Sequence, residues 1–158
     1  MSLDENDILI LQELQKKARI SYKELSDLTG IPSSTLHDKL NRLTIQGIIK
    51  EYITIINEDA IGCNQTAIIG IETGAEFYMV VADALTNIDE ITEVYGATAQ
   101  YDLMIKLRAY NRVHLSEVLN KIRSIKGVND INVAIILEVF KEKHTIPIMP
   151  EYIQQKHP

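Results

Sequence analysis

Between Ile20 and Tyr52 one helical pattern ends and another begins, and this feature constrains the fold most strongly. Ser21 followed by Glu24 three residues later is typical of a capped helix start. Gly30 and Pro32 end that helix, because glycine accepts a left-handed stop and proline cannot continue a helix. The segment therefore predicts two short helices joined by a tight turn.

The second of these helices, expected over about Ser33 to Thr44, has one apolar and one polar side. Leu36, Leu40 and Leu43 recur at helical spacing and predict a buried stripe. The other side carries Ser34, Thr35, His37, Asp38, Asn41 and Arg42. A helix that presents such groups outward is what reading a DNA major groove requires. The alternative is an ordinary helix pair whose polar side is only solvated.

A third helix and a local excess of positive charge favour DNA binding. Asp4 is a plausible N-cap for a helix whose buried face carries Ile8, Leu11, Leu14 and Ala18. Seven basic and three acidic residues lie between Lys16 and Lys50, although the formal net charge of the chain is -6. A basic face can therefore exist on an acidic protein.

The remaining sequence predicts a second domain and no membrane segment. The 158 residues suffice for two small domains, and 46% hydrophobic content is ample for their cores. Cys63, the single cysteine, has no partner for an internal disulfide, which favours a reducing compartment. No apolar run approaches the roughly 18 residues of a membrane span, and the acidic start does not resemble a signal peptide. We therefore expect a cytoplasmic protein.

Beyond Gly47 the pattern changes from helical to strand-rich. Ile48 to Ile56 is rich in β-branched residues and predicts a strand, which is followed by a polar break. We place a helix-turn-helix domain at residues 1–50, a β-strand and linker at 51–63, a second domain at 64–142 and a C-terminal tail at 143–158. The strand is a candidate for crossing to a partner subunit, and the tail for wrapping a neighbour or lying loose.

The second domain has the element order strand, helix, strand, strand, helix, strand. This order is that of the ferredoxin-like βαββαβ fold, in which both helices cover one sheet face. The predicted class is α+β, with an N-terminal helix-turn-helix (winged-helix-like) domain and a C-terminal ferredoxin-like domain. Since the strands are rich in Ile, Val and Tyr, we expect a second copy to cover the other face. The expected elements are 66–73, 75–88, 91–98, 101–109, 112–125 and 131–140.

Several spaced motifs give the chain a resemblance to a known family over nearly its whole length. The motifs are Leu3–Leu9, Ala18–Leu25, Pro32–Leu36 and Gln46–Tyr52 in the first domain, with Tyr101-Asp102 and Lys126-Gly127-Val128 in the second. In these the chain resembles the leucine-responsive regulatory protein/AsnC transcription regulators, also called feast/famine proteins. The resemblance implies a homodimer, often assembled into octamers, that binds palindromic or semi-palindromic double-stranded DNA.

The resemblance also implies an amino acid effector bound between regulatory domains at a subunit interface, and no cofactor is expected. The candidate effector residues are Thr98, Ala99, Gln100, Tyr101 and Asp102. Asp102 suits a ligand ammonium, although a turn-capping role is the alternative. Ala99 and Val133 stand where the family commonly has glycine and threonine, which predicts an effector that is atypical, weakly bound or absent.

Candidate DNA contacts follow from side-chain chemistry. Arg42 and Lys39 suit guanine edges or phosphates, and Asn41 suits adenine. Asp38 either accepts from cytosine or weakens binding near phosphates, and His37 either contacts DNA or faces solvent. Hydroxyls and amides at helix N-termini suit phosphate oxygens. The full predicted set is Ser21, Tyr22, Ser33, Ser34, Thr35, His37, Asp38, Lys39, Asn41 and Arg42.

Two other classes of function compete with a sequence-specific DNA-binding regulator. One is an effector-sensing or assembly protein whose helical domain binds protein. The other is an enzyme, for which the sequence offers no constellation: Cys63 has no neighbouring base, and no glycine loop suits phosphate. The histidines lack metal-ligand spacing; they are His37, His114, His144 and His157. We therefore expect no catalytic activity and no metal.

Overall fold

The computed structural model describes residues 3–98 and 100–153 and divides the chain into two compact units. One unit runs to Ile55 and also includes the segment from Glu142 onward, and the other is Ile56–Lys141. The first unit contains α1 (Glu5–Lys16), α2 (Tyr22–Thr29), α3 (Ser33–Ile45) and the short α6 (Pro150–Ile153). The second contains a 3-10 turn (Asp59–Ile61), β1 (Gln65–Thr73), α4 (Tyr78–Thr86), β2 (Ile91–Gly96), β3 (Leu103–Ala109), α5 (Arg112–Arg123) and β4 (Val128–Ile135).

The helices of the first unit begin and end where local chemistry dictates. The Asp4 carboxylate accepts a hydrogen bond from the Asp7 backbone N–H at 2.8 Å, and the Ser21 hydroxyl accepts one from the Glu24 N–H at 3.1 Å. Gly30 ends α2 with a φ of 71°, a conformation that side-chain-bearing residues rarely adopt. These caps set the lengths of the helices that form the helix-turn-helix.

One core holds α1, α2 and α3 together. Its fully buried side chains are Ile10, Leu25, Leu36 and Leu43, of which the two α3 leucines belong to the predicted stripe. The Leu36 and Leu43 side chains therefore fix which side of α3 faces outward. Ile10, outside the predicted α1 stripe, is buried more completely than Ile8, and Ala18 is exposed.

The second unit is a four-stranded antiparallel sheet in the order β2-β3-β1-β4, which confirms the ferredoxin-like prediction. Alternate residues of β1, namely Ala67, Ile69 and Ile71, are fully buried in a core that includes Val81 and Leu85 of α4. The helical core residues of α5 are Leu115, Val118 and Ile122. The chain is thus α+β, as predicted.

The open sheet face is less apolar than predicted, because most of the Ile and Val side chains point to the helices. Charged residues there include Lys106 of β3, which pairs with Glu93 of β2 at 3.6 Å, and Arg108 of β3, which pairs with Glu58 before the 3-10 turn at 2.5 Å. Ile68 of β1, which pairs with Lys106 in register, is half-buried. A second copy would therefore meet a mixed surface with fixed charges.

The strand predicted over Ile48 to Ile56 is wrong for the single chain. None of these residues lies in a helix or strand, because a strand needs a hydrogen-bonded neighbour and the described chain supplies none. The last strand also differs, since β4 spans Val128–Ile135 and does not continue to Phe140. The composition of residues 48–56 favours a strand, but composition alone does not supply the neighbouring strand that the hydrogen bonds require.

The tail is not separate from the first unit. The segment from Glu142 onward belongs to the unit that holds α1, and the Ile146 N–H donates to the Gln15 Oε1 at 2.7 Å. A groove of about 980 Å³ lies within this unit between α1, residues 48–55 and residues 144–153. Its lining includes Leu11, Leu14 and Ile55.

Candidate nucleic-acid interface and ligand loop

The outer side of α3 is a polar surface backed by a buried one. Ser33, Ser34, Thr35, His37, Asp38 and Asn41 are all exposed, as their spacing predicts. Leu36 and Leu43 on the opposite side are fully buried. Because both leucines are held in the core, rotation of α3 about its axis is blocked, and the hydroxyl and amide groups stay outward. A rigid helix with this face has the shape and chemistry for a major groove.

The two cations of α3 are paired with the start of α1. The Asp7 carboxylate, which is fully buried, accepts hydrogen bonds from the Arg42 guanidinium on both of its oxygens and from the Lys39 Nζ at 3.0 Å. Lys39 also contacts the Asp4 carboxylate at 2.5 Å. The Arg42 side chain remains 44% exposed, whereas that of Lys39 is only 13% exposed.

Lys39 was predicted as a DNA contact, and the structure places its ammonium in the contact between α1 and α3. Its ammonium lies between two carboxylates and is turned away from the exposed side of α3. Burial acts to lower the pKa of Lys39, but the hydrogen bonds to Asp4 and Asp7 and the attraction of their charges together raise it above its ordinary value. The hydrogen bond from Lys39 lowers the pKa of Asp4. We therefore assign Lys39 to the α1–α3 contact.

Sequence reasoning missed Asp7, which it treated only as part of an opening motif. A signal was present: Asp7 lies three residues after the N-cap, where a carboxylate reaches back to the cap N–H, and next to the apolar stripe. The observed bond from the Asp4 N–H to the Asp7 Oδ2 is 3.0 Å.

Helix N-termini add hydroxyls and amides to this side of the unit. α3 starts after Pro32 without a side-chain cap, so its first amides have no side-chain acceptor within the described residues. The Tyr22 ring lies 5.9 Å from the His37 ring, while the Ser21 hydroxyl caps α2. Free amides beside the exposed Ser33 and Ser34 hydroxyls suit phosphate oxygens.

The predicted ligand loop between β2 and β3 is organised by Asp102. Its carboxylate accepts from the Thr73 N–H at 2.9 Å, its N–H donates to the Ile71 carbonyl at 3.1 Å, and its carbonyl accepts from the Ala97 N–H at 2.9 Å. Asp102 therefore caps the turn, which was the alternative interpretation of this residue. Only one carboxylate oxygen is used in this way, and the side chain is exposed.

Tyr101 lies over the backbone of β1. A Cβ at Gly70 would collide with the Tyr101 ring, so only glycine leaves room for the ring here. Thr98 and Gln100 are exposed, and Ala99 lies outside the described residues. Val133 pairs in register with the buried Ile69 and packs against the helix-side core, so its lack of a hydroxyl removes nothing from the loop. The weaker effector binding predicted from Ala99 and Val133 stays a prediction.

The described residues bring together no metal-binding group. Among 3–98 and 100–153, no three or more His, Cys, Asp or Glu side chains are arranged to hold an ion. In the same residues no helix is long and apolar enough to cross a membrane.

Comparison with known proteins identifies both units. The model of the Lrp/AsnC ligand binding domain matches residues 66–146, and that of a winged helix-turn-helix DNA-binding domain matches residues 3–50. The chain belongs to the Lrp/AsnC family. Relatives include the HTH-type transcriptional regulator FL11 of Pyrococcus furiosus, which is 37% identical over 92% of this chain and 97% of its own length. FL11 of Pyrococcus abyssi is also 37% identical, over 94% and 98%.

Solved structures of transcriptional regulators share the fold. AsnC of E. coli superposes with a TM-score of 0.84 at 28% identity, covering 92% of this chain and 99% of its own. A Neisseria meningitidis regulator, solved as an L-Met complex, has a TM-score of 0.87 at 23% identity over 92% and 97%. With its helix-turn-helix and its family domain, the chain is a DNA-binding transcriptional regulator of the Lrp/AsnC type.

Proposed function

We propose that α3 of this Lrp/AsnC regulator enters the major groove and reads bases through Asn41 and the free edge of Arg42. His37, Thr35 and Asp38 lie on the same exposed side, and the hydroxyls of Ser21, Tyr22, Ser33 and Ser34 bind phosphates. The observation that carries this proposal is the polar side of α3, held outward by the buried Leu36 and Leu43. Such a regulator acts on the chromosome, so we place it in the cytoplasm.

The first prediction concerns Asn41, whose exposed amide has no hydrogen bond to any other described residue. Asn41→Ala should weaken binding to a duplex selected from a random library by about 5- to 150-fold, because a bidentate base contact contributes about 1–3 kcal/mol. Binding to a shuffled duplex of the same composition should change little. Fluorescence anisotropy at fixed salt measures both affinities.

Asn120→Ala is the matched control, since Asn120 is an exposed asparagine of α5 in the other unit. It makes the same chemical change and should leave both affinities unaltered. Equal affinity of Asn41→Ala and wild type for the selected duplex would contradict base reading by this side chain. We avoid Arg42→Ala for this purpose, because it also removes a partner of the buried Asp7.

We further propose a homodimer as the DNA-binding unit and an amino acid as its effector. One α3 makes too few contacts for a specific site, whereas a dimer presents two reading helices about 34–36 Å apart. The ligand-binding family domain and the L-Met complex of the Neisseria regulator support an amino acid. We infer that it binds at residues 98–102, with its ammonium on the Asp102 carboxylate.

A second prediction separates ligand binding by Asp102 from turn capping. Asp102→Asn keeps an oxygen that accepts from the Thr73 N–H but removes the charge. Affinity for the amino acid that calorimetry selects from the common set should fall about 10- to 150-fold, since hydrogen bonds to charged groups contribute about 1.5–3 kcal/mol. Thermal stability should stay close to that of the wild type.

Asp89→Asn, at another exposed aspartate of the same unit, should bind the amino acid normally. An amino acid that binds wild type and Asp102→Asn equally well would refute this site. If none of the amino acids binds at millimolar concentration, the effector proposal fails as a whole.

A further inference from the structure

The paired charges behind α3 bear on how this protein discriminates between DNA sequences. α3 carries Lys39 and Arg42 as its only cationic side chains, and both are bonded to carboxylates of the α1 start. The two cations meet two carboxylates, Asp4 and Asp7, so the cluster has no net charge. The remaining charged residue of α3 is Asp38, whose side chain is 88% exposed. The reading helix therefore offers DNA little positive charge.

Because the Asp7 carboxylate is buried, it needs the cations Lys39 and Arg42 as partners. An ionised carboxylate without contact to water costs several kcal/mol unless cations and hydrogen bonds compensate it. Each Asp7 oxygen has two donors: the Lys39 Nζ and Arg42 Nη2 on one, the Arg42 Nη2 and Asp4 N–H on the other. Lys39 and Arg42 cannot leave this carboxylate for a phosphate without exposing Asp7 to that cost.

The pairing also orients Arg42. Its contacts with Asp7 are made by Nη2 alone, and no other described residue is bonded to its Nε or Nη1. A guanidinium held by one nitrogen presents its remaining donors in a fixed direction. Fixed donors discriminate between bases, whereas a mobile cation binds any phosphate.

We propose that the buried Asp7 carboxylate, with Asp4 beside it, is a specificity-determining device: it neutralises the cations of α3 and orients Arg42, so that sequence-independent binding is suppressed. This inference rests on the proposed entry of α3 into the major groove. It assigns Asp7 a positioning role, since Asp7 acts through Lys39 and Arg42 and does not itself contact DNA.

Asp7→Asn tests the device in the full chain. The amide oxygen still accepts from the Asp4 N–H, but the charge that holds the two cations is gone. Log affinity falls with log salt with a slope of about -0.9 for each phosphate neutralised. For each α3 in the complex we therefore expect a slope steeper by about 1 to 2, with about 3- to 10-fold tighter binding to the shuffled duplex at low salt. The ratio of selected to shuffled affinities should fall.

A structural role alone predicts a different result. If Asp7 merely stabilises the fold, Asp7→Asn should weaken binding to both duplexes and leave the salt slope unchanged, and that result would overturn the proposal. Arg42→Gln added to Asp7→Asn should cancel the part of the gain in slope that Arg42 contributes, about half or more; a gain that Arg42→Gln leaves undiminished would also overturn the proposal. Asp83→Asn removes the same charge from the exposed side of α4 and should not alter the slope.

Asp4→Asn covers the case in which Asp7→Asn does not fold. Asparagine is as good an N-cap as aspartate, and the Asp4 side chain is 54% exposed, so the fold should survive. This variant frees Lys39 in part and should steepen the slope by up to about 1 for each α3 in the complex. An unchanged slope in a folded Asp4→Asn would reject the proposal. A failure of the proposed base reading would be seen in a separate experiment: Asn41→Ala would then bind the selected duplex with the affinity of wild type.

Discussion

Glu90 shows how one side chain ties helix to sheet in the regulatory unit. Its carboxylate contacts the His114 Nε2 at 2.9 Å and the Lys121 Nζ at 3.4 Å, both on α5, from a position just before β2. The Tyr110 ring stacks on His114 at 5.7 Å between centroids. The hydrogen bond with His114 lowers the pKa of Glu90, against a smaller opposing effect of burial.

The lowered pKa makes a prediction about acid stability. Since the fold favours ionised Glu90, its contribution is complete above the ordinary value of 4.5 and is lost as pH falls through the lower folded value. Glu90→Gln should cost about 0.5–1 kcal/mol of unfolding free energy at neutral pH. The gap to wild type should close as pH falls below the ordinary value of 4.5. Urea unfolding at each pH measures it.

Glu117→Gln provides the comparison, because Glu117 is an exposed carboxylate on α5, the helix that carries His114 and Lys121. Its stability should follow that of wild type at every pH. A gap for Glu90→Gln that is constant from neutral to acid pH would mean that the carboxylate charge contributes nothing.

At the scale of single elements, the sequence predicted the helices and strands whose limits are set by residues close to one another in the chain. The periodic leucines of α3 placed its bounds within one residue, and the strand expected at 101–109 is β3, Leu103–Ala109. Local chemistry determines such elements: caps, turns and an apolar period agree with one another. The same agreement gave the ferredoxin-like order.

Contacts between residues that are far apart in the chain could not be predicted in this way. Nothing local shows that Lys39 is drawn 35 positions back along the chain to Asp4, or that Tyr101 lies on Gly70. Lys39 was expected on the DNA side because basic residues of reading helices often contact phosphate. A buried carboxylate on α1 outweighed that tendency, since burying Asp7 without a counterion costs more than withdrawing a lysine from solvent.

At the scale of the whole molecule, a single chain leaves the apolar side chains of residues 51–57 exposed and their backbone without a partner strand among the described residues. Four large apolar side chains in this segment are more than half exposed: Tyr52, Ile53, Ile55 and Ile56. Its backbone pairs with no described strand, and part of it borders the groove beside α1. An extended β-rich segment with unpaired amides is a template for a second chain. We expect this segment to contribute to the proposed homodimer.

Ile55→Lys tests that contribution. In a twofold dimer the change occurs in both copies, and each buried isoleucine contributes about 1.5–3 kcal/mol, so the dimer dissociation constant should rise about 100-fold or more. Binding to the selected duplex should fall with it, since the two reading helices are no longer coupled. Ile61→Lys, at an isoleucine of similar exposure in the 3-10 turn, should dimerise normally. Sedimentation equilibrium measures the dissociation constant of the dimer. An Ile55→Lys protein that dimerises as well as wild type would exclude this segment from the interface. A wild type that is monomeric would contradict the proposed homodimer.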